Sequence, residues 1–363
     1  MRFLGKSYTR AQIERYTGNL AQIGGARHYE LSEGSARLTR AVDVETGAGL
    51  RFTVLPDRGM DISGASFRGV NLVYRTPNGE VHPSYYSPRG DEWMRTFFAG
   101  LLTTCGLRSF GPPCEDDGES LPLHGRANVT PARAVQDRSG WFGDEYLVEL
   151  RGTVEESAVF GPRIRLERTI RARLGEASLS VEDVVTNFGY APSPFVILYH
   201  INPGFPLLDG SAELLLASRS CTAYEDYARG HEREAWSFPP PQPGWREQDF
   251  LHTVAADAQG QAIFGLVRQD LEGGIGLWVR YDATSLPYLT EWKMVGEADY
   301  VLGLEPCNAP VYSRAELRAR GQLPILGPGE TKTMKLQIGV ASGREEIEAL
   351  RSSVESPRAG SGG

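Results

Sequence analysis

Three ionisable side chains lie where an apolar run breaks into a turn: His124 in LPLHGR, His200 in FVILYHINPGFPLLDG and Glu305 in YVLGLEPCNAP. Burying an imidazole or a carboxylate costs free energy unless the group is paired or used, so three such places in one chain point to one shared pocket. Two imidazoles and a carboxylate can donate and accept protons near neutral pH, which is what acid–base catalysis requires. His28, His82, His231 and His252 are read instead as hydrogen-bonded structural residues, the commoner role of a lone histidine.

Such a pocket needs rigid elements, and the chain supplies strands. From Arg163 to Leu174 the even positions are Ile, Leu, Arg, Ile, Ala and Leu, while the odd ones are polar or charged. A period of two gives a strand with one buried and one wet face, and Arg168 is its lone exception. The runs Tyr146 to Val154 and Ala177 to Thr186 flank it across FGP and LGEA, which predicts an antiparallel meander. Ala36 to Val44 and Leu50 to Pro56 flank ETGAG as a hairpin. Helix is confined to short pieces opened by capping-box spacings at Thr9/Gln12, Ser313/Glu316 and Ser342/Glu345. The expected class is all-β with a few short helices, in one domain over residues 1–355. The PPPQPGW loop at Pro239 to Trp245 should cross the surface or the pocket rim, and residues 356–363 should form a solvated, disordered tail.

Composition removes several functions. With 363 residues, 40% hydrophobic and 23% charged, the chain resembles an ordinary globular protein, and its formal net charge of −8 argues against a polyanionic partner. Nucleic acid is therefore not expected. The N-terminus lacks the apolar stretch of a signal peptide and no run of 18 or more apolar residues occurs, so a membrane is not expected and the location should be cytoplasmic. Cys105, Cys114, Cys221 and Cys307 show no CxxC spacing, which fits reduced thiols.

The order of these pieces resembles the galactose mutarotase-like superfamily, in its bacterial branch of aldose 1-epimerase family proteins. A strand ending in Asn187 precedes one ending in His200; Leu123-His124-Gly125, Gly303-Leu304-Glu305-Pro306 and Gly327-Pro-Gly-Glu330 match the other motifs in order, over about residues 36 to 341. The resemblance implies an antiparallel β-supersandwich with its site on a concave sheet face. It implies an isomerase that interconverts sugar anomers without a cofactor or metal, as a monomer or homodimer. Glu305 would be the base at the anomeric hydroxyl, His200 the acid at the ring oxygen, and His124 a hydrogen-bonding partner that keeps His200 oriented or protonated. A nearby carboxylate is expected to raise both imidazole pKa values. Ala99 to Arg108 and the stretch after His200 depart from the orthodox pattern, so weak activity on glucose and galactose is expected.

Several residues are candidates for holding the sugar. Arg126 follows His124 by two and shares its strand face if the chain stays extended. Asn202 and Asp209 lie in the turn after His200, where turn chemistry is their other role. Arg58, in DRGMD, either pairs with Asp57 or Asp61 or holds a substrate hydroxyl or carboxylate. Trp292 and Lys293 offer a stacking ring and a cation. Convergence of Arg58, Arg108, Arg126 and Lys293 would favour an acidic sugar. Glu305 could alternatively be an ion-pair partner of Arg58 or Lys293, and Asn308 could orient its loop. Two other functions stay open: a metal-assisted sugar isomerase or epimerase built on His124, His200 and Glu305, and a carbohydrate-binding module without catalysis.

Overall fold

The computed structural model describes residues 1–359, with side chains to residue 356. The alternating run forms the strand Arg163–Arg173, paired on one side with Glu145–Ser157 and on the other with Ser178–Asn187. This meander continues through Thr331–Ser342, Ile275–Asp282, Gln261–Arg268 and Glu213–Leu216 into a nine-stranded antiparallel sheet. The ETGAG hairpin joins Arg40–Glu45 to Leu50–Leu55 inside a five-stranded sheet. A six-stranded sheet runs in the order Ser218–Ala223, Gln248–Val254, Tyr288–Val295, Tyr300–Cys307, Val196–His200 and Thr103–Leu107.

All three sheets bury residues in one apolar core, with Leu150 and Ile170 from the nine-stranded sheet, Phe52 and Ile62 from the five-stranded, and Ile197 and Leu302 from the six-stranded. The other face of the six-stranded sheet meets a smaller cluster that includes Trp93, Phe97, Cys105, Leu198 and Cys307. The chain is thus all-β, as its period of two requires. Three α-helices, Arg10–Tyr16, Arg314–Ala319 and Arg344–Ala359, begin at the three places that the cap spacings mark. Thr9 and Gln12 form a full capping box, and Ser313 Oγ accepts the Glu316 N–H. At the last helix the carboxylate that accepts the Ser342 N–H belongs to Glu346, not Glu345. That helix runs to Ala359, into the stretch expected to be a tail, and residues 360–363 of that stretch lie outside the described residues. Among the described residues no helix is long and apolar enough to cross a membrane.

Arg168, the exception in the alternation, is buried where the three sheets meet. Its guanidinium donates to both oxygens of Asp183 at 2.8 and 2.6 Å, to Asp61 Oδ1 at 2.6 Å, to Thr104 Oγ1 at 2.8 Å and to the Gly59 carbonyl at 3.2 Å. Tyr199 donates to the same Asp183 at 2.7 Å, and Asp61 also accepts the backbone N–H and the hydroxyl of Thr104. A charge in this position is tolerated only because nearly every donor and acceptor is matched. Burial still pushes the Asp61 carboxyl up, against the pull of Arg168. Replacing Arg168 by Met keeps the stem and leaves two buried carboxylates without their cation. We expect Arg168→Met to lose about 3–5 kcal/mol of stability, read from the urea midpoint at constant m-value. A loss below about 1 kcal/mol would mean that the network does not hold the sheets together.

Candidate active site

Tyr199 and His200 are consecutive on one strand, so they point to opposite faces. Tyr199 enters the Arg168 network and His200 enters a cleft on the far side of the sheet. The neighbouring strand pairs Leu198 with Cys307 and Ile201 with Leu304, which brings Glu305 beside His200. On the next strands Thr290 stands across from Glu305, Leu251 across from Thr290, and Asp249 across from Trp292. The cleft floor is therefore written by strand register.

His124 arrives from a loop, not from a strand. It is held at φ +55°, its N–H donating to the Gly111 carbonyl at 3.0 Å and its carbonyl accepting the Gly106 N–H at 3.1 Å. A Cβ on Gly125 would fall 2.3 Å from the Ser109 carbonyl oxygen and 2.4 Å from that of Gly106, so the turn requires glycine there. A non-glycine residue in the left-handed region costs roughly 1–2 kcal/mol and persists where the surroundings over-determine it.

Together these residues form a cavity of about 170 Å³. His200 Nε2 lies 3.0 Å from Glu305 Oε1, close but without the alignment of a hydrogen bond. The two imidazole centroids are 6.1 Å apart. Trp93 packs on His124 at 4.8 Å, and Phe97 and Trp292 pack on His200 at 5.3 and 5.4 Å. A Cβ on Gly303 would lie 2.5 Å from Glu305 Oε1 and 3.0 Å from His200 Cε1, so only glycine leaves room for the pair. A larger hollow of about 560 Å³ over the five-stranded sheet contains none of the three residues.

Burial sets the proton positions. It pushes His124 down to about 4; for His200, burial and then the neighbouring His124 push it down to about 3, against a pull upward from Asn202. Burial, then the charge of Glu247, pushes Glu305 well above the usual carboxylate value. The expectation that the carboxylate would raise both imidazoles is corrected: burial lowers both, and on His200 the neighbouring imidazole lowers it further. Asp249, also in the cleft, is pushed well up by burial and by its neighbour Glu225.

The cation candidates lie elsewhere. Arg58 is fully buried, donating at 2.7–2.8 Å to the carbonyls of Asn128, Val81 and Thr96, and burial lowers it to about 10. Neither expected partner holds it, since Asp57 pairs with Arg40 and Asp61 with Arg168. Arg108 pairs with Glu119 at 2.7 Å, and Arg126 faces Glu156 at 3.8 Å because the chain turns at Gly125 instead of staying extended. Lys293 points to the opposite face from Trp292 and donates to the Glu234 carbonyl at 2.7 Å. Among the described residues no Lys or Arg lines the cleft, so the convergence that would favour an acidic sugar is not found there.

Asp209 pairs with Arg268 at 2.6 Å, away from the cleft. Asn202 donates to the carbonyls of His200 and Gly100, so it braces the turn rather than lining the cavity. Asn308 ties the two strands of the pair by accepting the Ile197 N–H and donating to the Phe195 carbonyl. Trp292 does line the cleft. The four other histidines are each hydrogen-bonded as expected, to Asp137, Ser84, Glu234, and Ser218 with Glu291. Sequence reasoning missed Trp93, Phe97, Glu247 and Asp249. The alternation Gln248-Asp-Phe-Leu-His252 does carry a signal, since it separates Asp249 and Leu251 from the core-facing positions. Among the described residues no group of three or more His, Cys, Asp and Glu side chains is arranged to hold a metal ion.

Solved structures share this architecture. A candidate aldose 1-epimerase from Klebsiella pneumoniae subsp. pneumoniae MGH 78578 is 26% identical, with a TM-score of 0.86 over 92% of this chain and 87% of that one. A galactose mutarotase-like protein from Clostridium acetobutylicum is 12% identical, with a TM-score of 0.62 over 88% and 99% of the two chains. Galactose 1-epimerase from Lactobacillus acidophilus NCFM is 12% identical, with a TM-score of 0.56 over 88% and 100%. No curated protein matches. The fold is the galactose mutarotase-like one that the motifs implied. The family model described as a domain of unknown function (DUF4432) matches residues 36–340, and the chain therefore belongs to the DUF4432 family.

Proposed function

We propose that this protein interconverts the α and β anomers of an aldose by acid–base catalysis. One observation carries the reading: His124 Nδ1, His200 Nδ1 and Glu305 Oε1 are buried polar atoms without a hydrogen-bond partner, gathered at one aromatic-walled cavity. Buried polar atoms left unpaired are rare, and where they cluster in a cleft a ligand is the natural partner. The names of the Klebsiella and Lactobacillus structures support the same reaction class. A sugar-binding module would gain nothing from a buried carboxyl 3.0 Å from an imidazole.

Mutarotation needs one group to take the anomeric hydroxyl proton while another protonates the ring oxygen. The His200–Glu305 pair serves with a single transferable proton. In the resting cleft burial keeps that proton on Glu305; transfer to His200 leaves the pair's net charge unchanged and produces the working form, with Glu305 as base and His200 as acid. Ring opening moves the proton from O1 to Glu305 and from His200 to the ring oxygen. After rotation about C1–C2, closure returns both protons, so the pair ends as it began. His124 is placed to hydrogen-bond the ring oxygen or the adjacent hydroxyl.

The substitutions follow from these roles. Glu305→Gln keeps size but cannot accept the proton, and turnover should fall by roughly 10²–10⁴ with little change in sugar affinity. His200→Asn should lose a comparable factor, and the double variant should be little worse than either, because both transfers belong to one step. Gly303→Ala should also lower turnover, together with a loss of stability, because the added Cβ crowds the buried pair. The measurement is NMR exchange between α and β anomeric signals at equal folded concentration. Wild-type protein that gives no exchange above buffer with any sugar it binds would overturn the reading.

The pH profile gives an independent check. The working pair holds one proton, so activity is lost on the acid side when His200 or His124 gains another, at about 3 to 4, and on the alkaline side when Glu305 loses its own. The imidazoles should therefore contribute no step to kcat/KM at the ordinary histidine value of 6.5. A step at that pH would show that the imidazoles titrate as if exposed, contrary to the assignment.

A further inference from the structure

The reaction proposed above fixes part of the ligand's pose. In a pyranose the ring oxygen lies between C1 and C5, so the exocyclic C6 is next to the oxygen that His200 serves. C6 must then occupy the corner around His200 and His124. Apart from the two imidazoles, that corner is aromatic: Trp93 and Phe97 stack at 4.6 Å, Trp93 lies 4.8 Å from His124, and Phe97 and Trp292 flank His200. The polar atoms of the two tryptophans are already committed. Trp93 Nε1 donates to Asn128 Oδ1 at 3.0 Å, and Trp292 Nε1 donates to Glu247 Oε2 at 2.8 Å. Only the two imidazoles, which the reaction engages at the ring oxygen, could bond a C6 hydroxyl here, whereas a methyl would gain apolar contact with Trp93, Phe97 and Trp292.

The rest of the cleft has the opposite character. Glu247, Asp249 and Thr290 lie along the strands beyond Glu305 and present acceptors to ring hydroxyls. Among the described residues no Lys or Arg lines the cleft, so a phosphate or carboxylate on the sugar would be desolvated with no cation to offset the cost. We infer that the substrate is an uncharged 6-deoxyaldose, its C5 methyl seated in the Trp93, Phe97 and Trp292 corner and its hydroxyls facing Glu247, Asp249 and Thr290. This rests on the mutarotase reading and narrows it to one substrate class.

Anomeric exchange NMR on matched pairs tests it: L-fucose with L-galactose, D-fucose with D-galactose, L-rhamnose with L-mannose, and 6-deoxy-D-glucose with D-glucose, together with D-galacturonate and D-galactose 6-phosphate. The best substrate should be a 6-deoxy sugar, ahead of its 6-hydroxy partner by about 10–10²-fold in kcat/KM, with the two anions slowest. Phe97→Ser, which places a hydroxyl in the corner, should narrow that ratio. A 6-hydroxy sugar equal to or better than its partner in every pair, or an anion exchanged fastest, overturns the inference while leaving the mutarotase reading in place. Absence of catalysed exchange with every sugar removes both.

Discussion

The structure depends on one buried cation. Arg168 gathers Asp183 from its own sheet, Asp61 from the five-stranded sheet and Thr104 from the six-stranded sheet, while Tyr199 adds a second bond to Asp183. Apolar packing alone would tolerate many relative positions of three sheets; a guanidinium with fixed donor directions tolerates few. The network also reaches the cleft through a single peptide bond. Tyr199 is anchored on one face, so His200 is placed on the other, and register then delivers Glu305, Thr290 and Asp249. Fold and site share one constraint.

Two imidazole–carboxyl pairs on this sheet show what separates structure from chemistry. His252 Nε2 meets Glu291 at 3.1 Å and its Nδ1 meets Ser218 at 3.0 Å, so both nitrogens of a fully buried ring are occupied. His200 meets Glu305 at 3.0 Å, yet its Nδ1 and the facing carboxyl oxygen lack partners, and a cavity opens beside them. The residue types are identical. The first ring has both nitrogens bonded within the core, while the second has an unbonded nitrogen and lines a cleft.

The cleft's electrostatics come from burial and from the lack of a lining cation among the described residues. The nearby cations are spent on carbonyls, on carboxylates or on the far face of the sheet, and desolvation drives the imidazoles and Glu305 to their neutral forms.

The sequence by itself determined the strands, the three helix starts and the three ionisable residues in or beside apolar runs, because period-two patterning, cap spacing and the anomaly of a charge in an apolar run are local properties. Arg168 was visible as an exception in the same way, though its partners were not. The destinations of Arg58, Arg108, Arg126 and Lys293 were decided only by the tertiary structure, since a long side chain reaches whatever carbonyl or carboxylate the fold brings near it. The same holds for Trp93 and Phe97, whose spacing says nothing of His124 and His200, and for the proton positions, which follow from burial. Local pattern chooses which residues are unusual; only the packed chain fixes what each one touches and how much water it keeps, and those two quantities set its chemistry.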